Sequence, residues 1–295
     1  MASRTESGGE SEAERRDVDS GPGPIAILGG GNLGQALARG WLAAGLLEPE
    51  DLTVTRRRTG LLEELSDRGC RVTNDNAAAV RRSRVVVLAV QPQQVVDLLD
   101  EIAPALDPDR HLLVSCISDV SVADLRGRLG VSVPTVRAMP NTAVEIRESM
   151  TCLSTAEGGG EEDEEALAAA RKLFGAVGRT LVIPEDLMVS ATALVACGVA
   201  FFLRAIRAAS QGGIEIGFHP DEAVLMAAQT ARGAASLLLR EESHPEDEVD
   251  RVTTPRGCTI AGLNEMEHQG FSSALIKGIV TSAAKAEGLF ESGES

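Results

Sequence analysis

Ile25-Ala26-Ile27-Leu28-Gly29-Gly30-Gly31-Asn32-Leu33-Gly34-Gln35 sets four apolar residues directly before a G-x-G-x-x-G pattern, and Leu37, Trp41 and Leu42 follow at helical spacing. The apolar run reads as a buried strand and the segment from Gln35 to Ala44 as the helix behind it. Strand, glycine loop and helix in this order are the fingerprint of a Rossmann dinucleotide-binding unit. Gly29 permits the tight turn, Gly31 lets the backbone approach a pyrophosphate, and Gly34 allows close packing of helix on strand. The helix N-terminus offers unpaired N–H groups to the phosphates. Leu28, Gly29, Gly31, Asn32, Leu33 and Gly34 are therefore the first candidate cofactor-binding residues.

Working outward, Leu52-Thr53-Val54-Thr55 is the second strand, and Arg56-Arg57-Arg58 follow it where an NAD-specific domain usually carries an acid for the ribose 2′-hydroxyl. A guanidinium suits a 2′-phosphate through bidentate, charge-assisted hydrogen bonds, while Asp51 lies at the wrong end of the strand. The expected cofactor is NADPH, with NADH a weaker second. Arg84 to Val90 is a further buried strand that stops at Gln91-Pro92, and Leu112-Leu113-Val114 and Thr135-Val136-Arg137 are two more. Ligands of doubly wound sheets lie beyond the carboxyl ends of the strands. Arg56, Arg57, Ala89, Val90, Gln91, Pro92, Cys116 and Ser118 thus join the cofactor candidates, with Asn76 on the adenine side.

A chain of 295 residues exceeds one ordinary hydrophobic core, so two domains are expected. Residues 23–184 carry the alternating strands and helices of a Rossmann-type doubly wound α/β sheet. From 185 to 290 strand patterns cease, and helices are expected over Glu185 to about Gln211, Pro220 to Arg240, Thr259 to Gln269 and Ser272 to Gly288. The run Glu161 to Glu165 reads as the exposed, dipole-favoured start of an earlier helix. The last helices carry more Ala, Leu, Val and Ile than a small bundle can bury, which calls for a partner subunit. Residues 1–22, rich in Ser, Gly, Glu and Arg, read as a disordered acidic tail.

The charge of −16, with lysine only at positions 172, 277 and 285, argues against nucleic acid and suits a salty cytoplasm. Tyrosine is absent, which excludes any mechanism built on a tyrosine acid. Five scattered cysteines without a C-x-x-C pair read as reduced thiols, and four histidines without ligand spacing give no metal site. No apolar run reaches the ~20 residues of a membrane span, and the polar start lacks a secretory signal, so a soluble cytoplasmic protein without a membrane role is expected.

From about Pro24 to Gly288 the chain resembles the pyrroline-5-carboxylate reductase family. The residues that carry the resemblance are the glycine loop with Asn32, Val72-Thr73-Asn74-Asp75-Asn76, Ala89-Val90-Gln91-Pro92, Arg137-Ala138-Met139-Pro140-Asn141-Thr142 and Val252 to Leu263. The resemblance implies hydride transfer from NADPH to the C=N bond of 1-pyrroline-5-carboxylate, giving L-proline in the last step of proline biosynthesis. It implies an all-helical C-terminal dimerisation domain and a homodimer or larger homo-oligomer. It places the imino-acid substrate at Val252, Arg256, Gly257, Cys258 and Thr259, with Thr259 as the residue acting at the reaction centre. There a Thr-Pro turn before a helix start would present N–H groups to the carboxylate.

This chain departs from the family pattern at four places: Gln91-Pro92 for Lys-Pro, Ser118-Asp119 for Ala-Gly, Pro255-Arg256-Gly257 for Pro-Gly-Gly, and Val195 to Phe201 for a run ending Gly-Pro-Ala-Tyr. Two other readings stay open: a reductase of another imine or keto acid, and a catalytically silent NADPH-binding relative. The β-hydroxyacid dehydrogenases share the architecture but use a helix-borne lysine. Only Lys172 lies near the interdomain segment, in a polar stretch without that family's glycines.

Overall fold

A computed structural model describes residues 22–156, 158–241 and 243–288; of the expected tail, only Pro22 falls within them. The eight strands are β1 (Ile25–Leu28), β2 (Leu52–Thr55), β3 (Arg71–Thr73), β4 (Val85–Leu88), β5 (Leu112–Ser115), β6 (Thr135–Met139), β7 (Ser149–Ser154) and β8 (Gly178–Val182). They form one sheet in the order β3-β2-β1-β4-β5-β6-β7-β8. Every pairing is parallel except that of β6 with β7. The order reverses between β1 and β4, and at such a switch point the carboxyl ends of the strands leave a crevice.

The helices of this half are α1 (Asn32–Ala43), α2 (Glu63–Asp67), α3 (Asn76–Arg82), α4 (Val95–Ile102), α5 (Val122–Leu129) and α6 (Glu161–Gly175). Both faces of the sheet are covered, which is why its inner strands read as unbroken apolar runs. Ile25 and Ile27 pack with Leu37 and Trp41 of α1 and Phe174 of α6, while Ala26 and Leu28 pack with α3, α4 and α5. Trp41 meets Phe174 edge-on at 5.8 Å and donates from Nε1 to the Leu173 carbonyl at 3.0 Å, so its one polar atom is satisfied in the core. α1 begins at Asn32 rather than Gln35, because Gly31 takes the extended N-cap conformation inside the glycine loop.

Beyond the sheet the structure is helical. A 3₁₀ turn (Glu185–Leu187), α7 (Met188–Ala191), a π-helical turn (Thr192–Ala196) and α8 (Gly198–Glu215) run on from one another. Then come α9 (Pro220–Glu241), α10 (Pro245–Val252), α11 (Cys258–His268) and α12 (Phe271–Ala286). Within Glu185–Glu215 an 18-residue window has a mean hydropathy of 2.0, and the helical run is long and apolar enough to cross a membrane. The uncharged run itself, Leu187–Leu203, stops short of the ~20 residues of a span; the added length comes from the helix, which continues through Arg204 and Arg207. α10 was not expected, since its Pro-Glu-Asp-Glu start has no apolar stripe; a proline at its first turn and the acidic residues behind it suit a helix N-terminus.

Candidate active site

The crevice between β1 and β4 opens into a cleft of about 830 Å3. Of the residues expected to bind the cofactor, Gly29, Gly31, Arg56, Arg57, Asn76, Ala89, Val90 and Gln91 line it. Leu28, Asn32, Leu33, Gly34, Pro92, Cys116 and Ser118 do not. Leu28 and Gly34 are buried beneath the loop, and Cys116 sits in the core, where burial pushes its thiol up to about 12. Such a thiol stays protonated and unreactive at neutral pH.

The loop is held by its own backbone. Gly29 N and Gly30 N both donate to the Thr55 carbonyl, at 3.3 and 2.7 Å, and Ala89 N donates to Leu28 O at 2.8 Å. At Gly29, φ is +113°, and a Cβ would lie 2.5 Å from the Ala89 carbonyl oxygen. A Cβ on Gly34 would lie 2.1 Å from the Gly29 oxygen, so α1 can approach β1 this closely only with glycine there. No side chain caps α1, which leaves its first-turn N–H groups at the mouth of the loop. At Gly31 a Cβ would meet nothing within 4 Å, so the backbone there is open to a ligand.

The three arginines after β2 share the cleft but are not equivalent. Arg56 is half-buried and donates from Nη1 to the Gly30 carbonyl at 2.8 Å, whereas Arg57 and Arg58 are exposed. A turn with uncapped N–H groups beside three guanidiniums fits a pyrophosphate with a further phosphate on the adenosine ribose.

Sequence reasoning missed the other wall. Asp97, Leu98 and Glu101 of α4 enter the cleft, and Glu101 receives Asn76 N at 3.3 Å and Asn76 Nδ2 at 2.8 Å. Thr55 Oγ1 donates to Asn76 Oδ1 at 2.5 Å, so the Asn76 amide is fixed from both sides. Thr55 was findable as the carboxyl-terminal residue of the strand before the arginines. Nothing local to Glu101 marks it, because the fold brings it 25 residues back to Asn76.

The expected substrate residues stand elsewhere. Val252 ends α10 and is 62% exposed, and Arg256 and Cys258 are exposed too. Gly257 N closes a turn onto Thr254 O at 2.9 Å, with Pro255 second and Arg256 third at φ 62°. That is the pattern of a type II turn, whose third position favours glycine. Gly257 is the N-cap of α11, without a side-chain cap, and Cys258 and Thr259 open the helix. None of Val252, Arg256, Gly257, Cys258 and Thr259 lines the cleft of the same chain.

Two family models match: pyrroline-5-carboxylate reductase dimerisation over residues 185–289, and NADP oxidoreductase coenzyme F420-dependent over residues 24–119. In Dictyostelium discoideum, pyrroline-5-carboxylate reductase 1 is 49% identical over 274 residues, covering 90% of this chain. This chain spans half the length of that relative. Pyrroline-5-carboxylate reductase 2 of the same organism is 47% identical, over 89% of this chain and 91% of its own length. The crystal structure of Plasmodium falciparum pyrroline carboxylate reductase with NADP bound superposes with a TM-score of 0.80 over 91% of this chain and 98% of that one, at 21% identity. Both halves and their order are thus shared with these proteins, and the chain belongs to the pyrroline-5-carboxylate reductase family.

Proposed function

We propose that this chain reduces 1-pyrroline-5-carboxylate to L-proline with NADPH, as a homodimer or larger homo-oligomer in the cytosol. The observation that carries the reading is the 47% identity to a named reductase along nine-tenths of both chains, across both halves of the molecule. The arginine-lined cleft supports the choice of NADPH over NADH.

NADPH, when bound, supplies the hydride. The glycine loop and the first turn of α1 hold its pyrophosphate, and Arg57 and Arg58 are free to take the 2′-phosphate while Arg56 braces the loop. Ala89 and Val90 border the cleft and help exclude water. A protonated cyclic imine is already electrophilic, so the protein need only orient it and shield it. The first-turn N–H groups of α11 and the Thr259 hydroxyl hold the substrate carboxylate. Because this turn is exposed and outside its own chain's cleft, assembly is what brings a turn and a cleft together.

Assembly also covers the apolar helical faces, so the stretch Glu185–Glu215 meets protein rather than lipid. A net charge of −16 disfavours a nucleic-acid partner. The five free cysteines suit a reducing compartment, which fractionation of the source cells tests.

The decisive experiment follows NADPH oxidation by the purified protein with pyrroline-5-carboxylate, with NADH and a panel of other cyclic imines and keto acids alongside. Turnover fastest with pyrroline-5-carboxylate and NADPH is expected. Faster turnover of another compound would reassign the substrate, and NADPH binding without any turnover would make the chain a silent relative.

A further inference from the structure

The loop Cys116–Ser121 joins β5 to α5 at the carboxyl end of the sheet, on the ligand side of the fold. Its entrance is held by Cys116 N donating to Leu88 O at 2.9 Å. Its exit is held by a capping box: Asp124 N donates to Ser121 Oγ and Ser121 N to Asp124 Oδ2, each at 3.0 Å. Between them Asp119 has φ 60°, a left-handed conformation that a residue with a Cβ keeps only where its surroundings impose it.

A further tie at the exit of the loop comes from the other half of the molecule. Glu185, first residue of the segment that matches the dimerisation model, reaches back with Oε1 to accept Val122 N at 2.7 Å and Arg137 Nη1 at 3.3 Å. One carboxylate oxygen therefore engages the first residue of α5 and a side chain of β6. Arg137 is 5% exposed, and its Nε and Nη2 are buried without a partner among the described residues. Burial pulls this guanidinium down from its ordinary value, opposed first by Glu185 and then by Asp119 and Asp124. Removing Glu185 would leave a buried charge and an orphaned N–H at the end of the same loop.

We infer that Glu185 is a positioning residue: it ties the start of the helical half to Val122 and Arg137, and so fixes the Cys116–Ser121 loop beside the hydride-transfer site. Glu185 does not line the cofactor cleft, so it acts through that loop and not by touching NADPH. The inference rests on the reductase reading for its kinetic consequence, while the tie itself does not.

The test uses full-length wild-type protein and the variants Glu185→Gln, Glu185→Ala and Arg137→Lys. A misplaced loop should lower kcat about 10- to 100-fold in Glu185→Ala, with NADPH affinity and oligomeric state unchanged. Glu185→Gln keeps an acceptor for Val122 N and should recover part of the loss; if the alanine variant fails to fold, the glutamine variant is compared with wild type directly. Arg137→Lys keeps the charge for Glu185 and should likewise retain part of kcat. A wild-type kcat in Glu185→Gln and Glu185→Ala, or an equal loss of NADPH affinity and kcat, would overturn the inference. Hydrogen exchange supplies a readout independent of chemistry: amides of residues 116–124 should exchange faster in Glu185→Gln than in wild type with NADPH present. Should wild type turn over no substrate, the reductase reading fails, and exchange alone decides the tie, with unchanged rates overturning it.

Discussion

In the sheet half, β1 is buried along its whole length between α1 and α6 on one side and α3, α4 and α5 on the other. In the helical half, Phe202 and Leu203 of α8, Leu225 of α9 and Ile276 of α12 all stand more than half exposed. The first half satisfies itself: its apolar residues, its loop hydrogen bonds and its cleft all come from one chain. The second half leaves a long apolar surface, and the turn proposed to hold the substrate does not line the cleft. That difference is what the proposed reading uses: a cofactor site within one chain and a substrate site completed by assembly.

The sharpest way to break the comparison is Leu225→Arg. A charge in the middle of the exposed face of α9 should separate the subunits and abolish turnover while NADPH still binds, as light scattering, a kinetic assay and a cofactor titration would show. A monomer that kept wild-type turnover would place the whole active site in one chain. Gly34→Ala attacks the self-sufficient half instead. With a Cβ 2.1 Å from the Gly29 oxygen, it should cost about 3 kcal/mol in urea denaturation and weaken NADPH binding.

Smaller effects sharpen the division of labour. Replacing Arg57 and Arg58 together by alanine should weaken NADPH binding roughly 10- to 100-fold, the worth of charge-assisted hydrogen bonds, and leave NADH unaffected. An unchanged NADPH to NADH ratio would refute the assignment of these arginines. Thr259→Ala should raise KM for the imino acid by about 3- to 10-fold with KM for NADPH unchanged, since one hydroxyl is lost on the substrate side alone. Equal effects on both would move Thr259 into the cofactor site.

Much of the cofactor site is legible in the chain because its determinants are local. Gly29, Gly31 and Gly34 act through backbone conformation and close approach within a single strand-loop-helix unit, and Arg56 to Arg58 follow directly from β2. The antiparallel β7 and the edge strand β8 escaped notice. Ser149-Met150-Thr151-Cys152-Leu153-Ser154 mixes small polar residues into a buried strand, and β8 alternates only weakly at the rim. The π-helical turn at Thr192–Ala196 was equally hidden, since one extra residue in a helical turn leaves no local mark in an apolar run. The four expected helices were found to within a few residues at each end, as apolar periodicity allows.

The sequence by itself determined the Rossmann unit, the order of its two halves and the arginines that line the cleft after β2, because each depends on residues adjacent in the chain. Only the tertiary structure decided that Glu101 clamps Asn76 from across the cleft and that Glu185 reaches back to Val122 and Arg137. It also decided that the turn at Thr254 to Thr259 does not line the cleft of its own chain. Contacts between residues 25 to 63 positions apart depend on how helices cross the sheet, and that geometry is set by packing rather than by any local pattern.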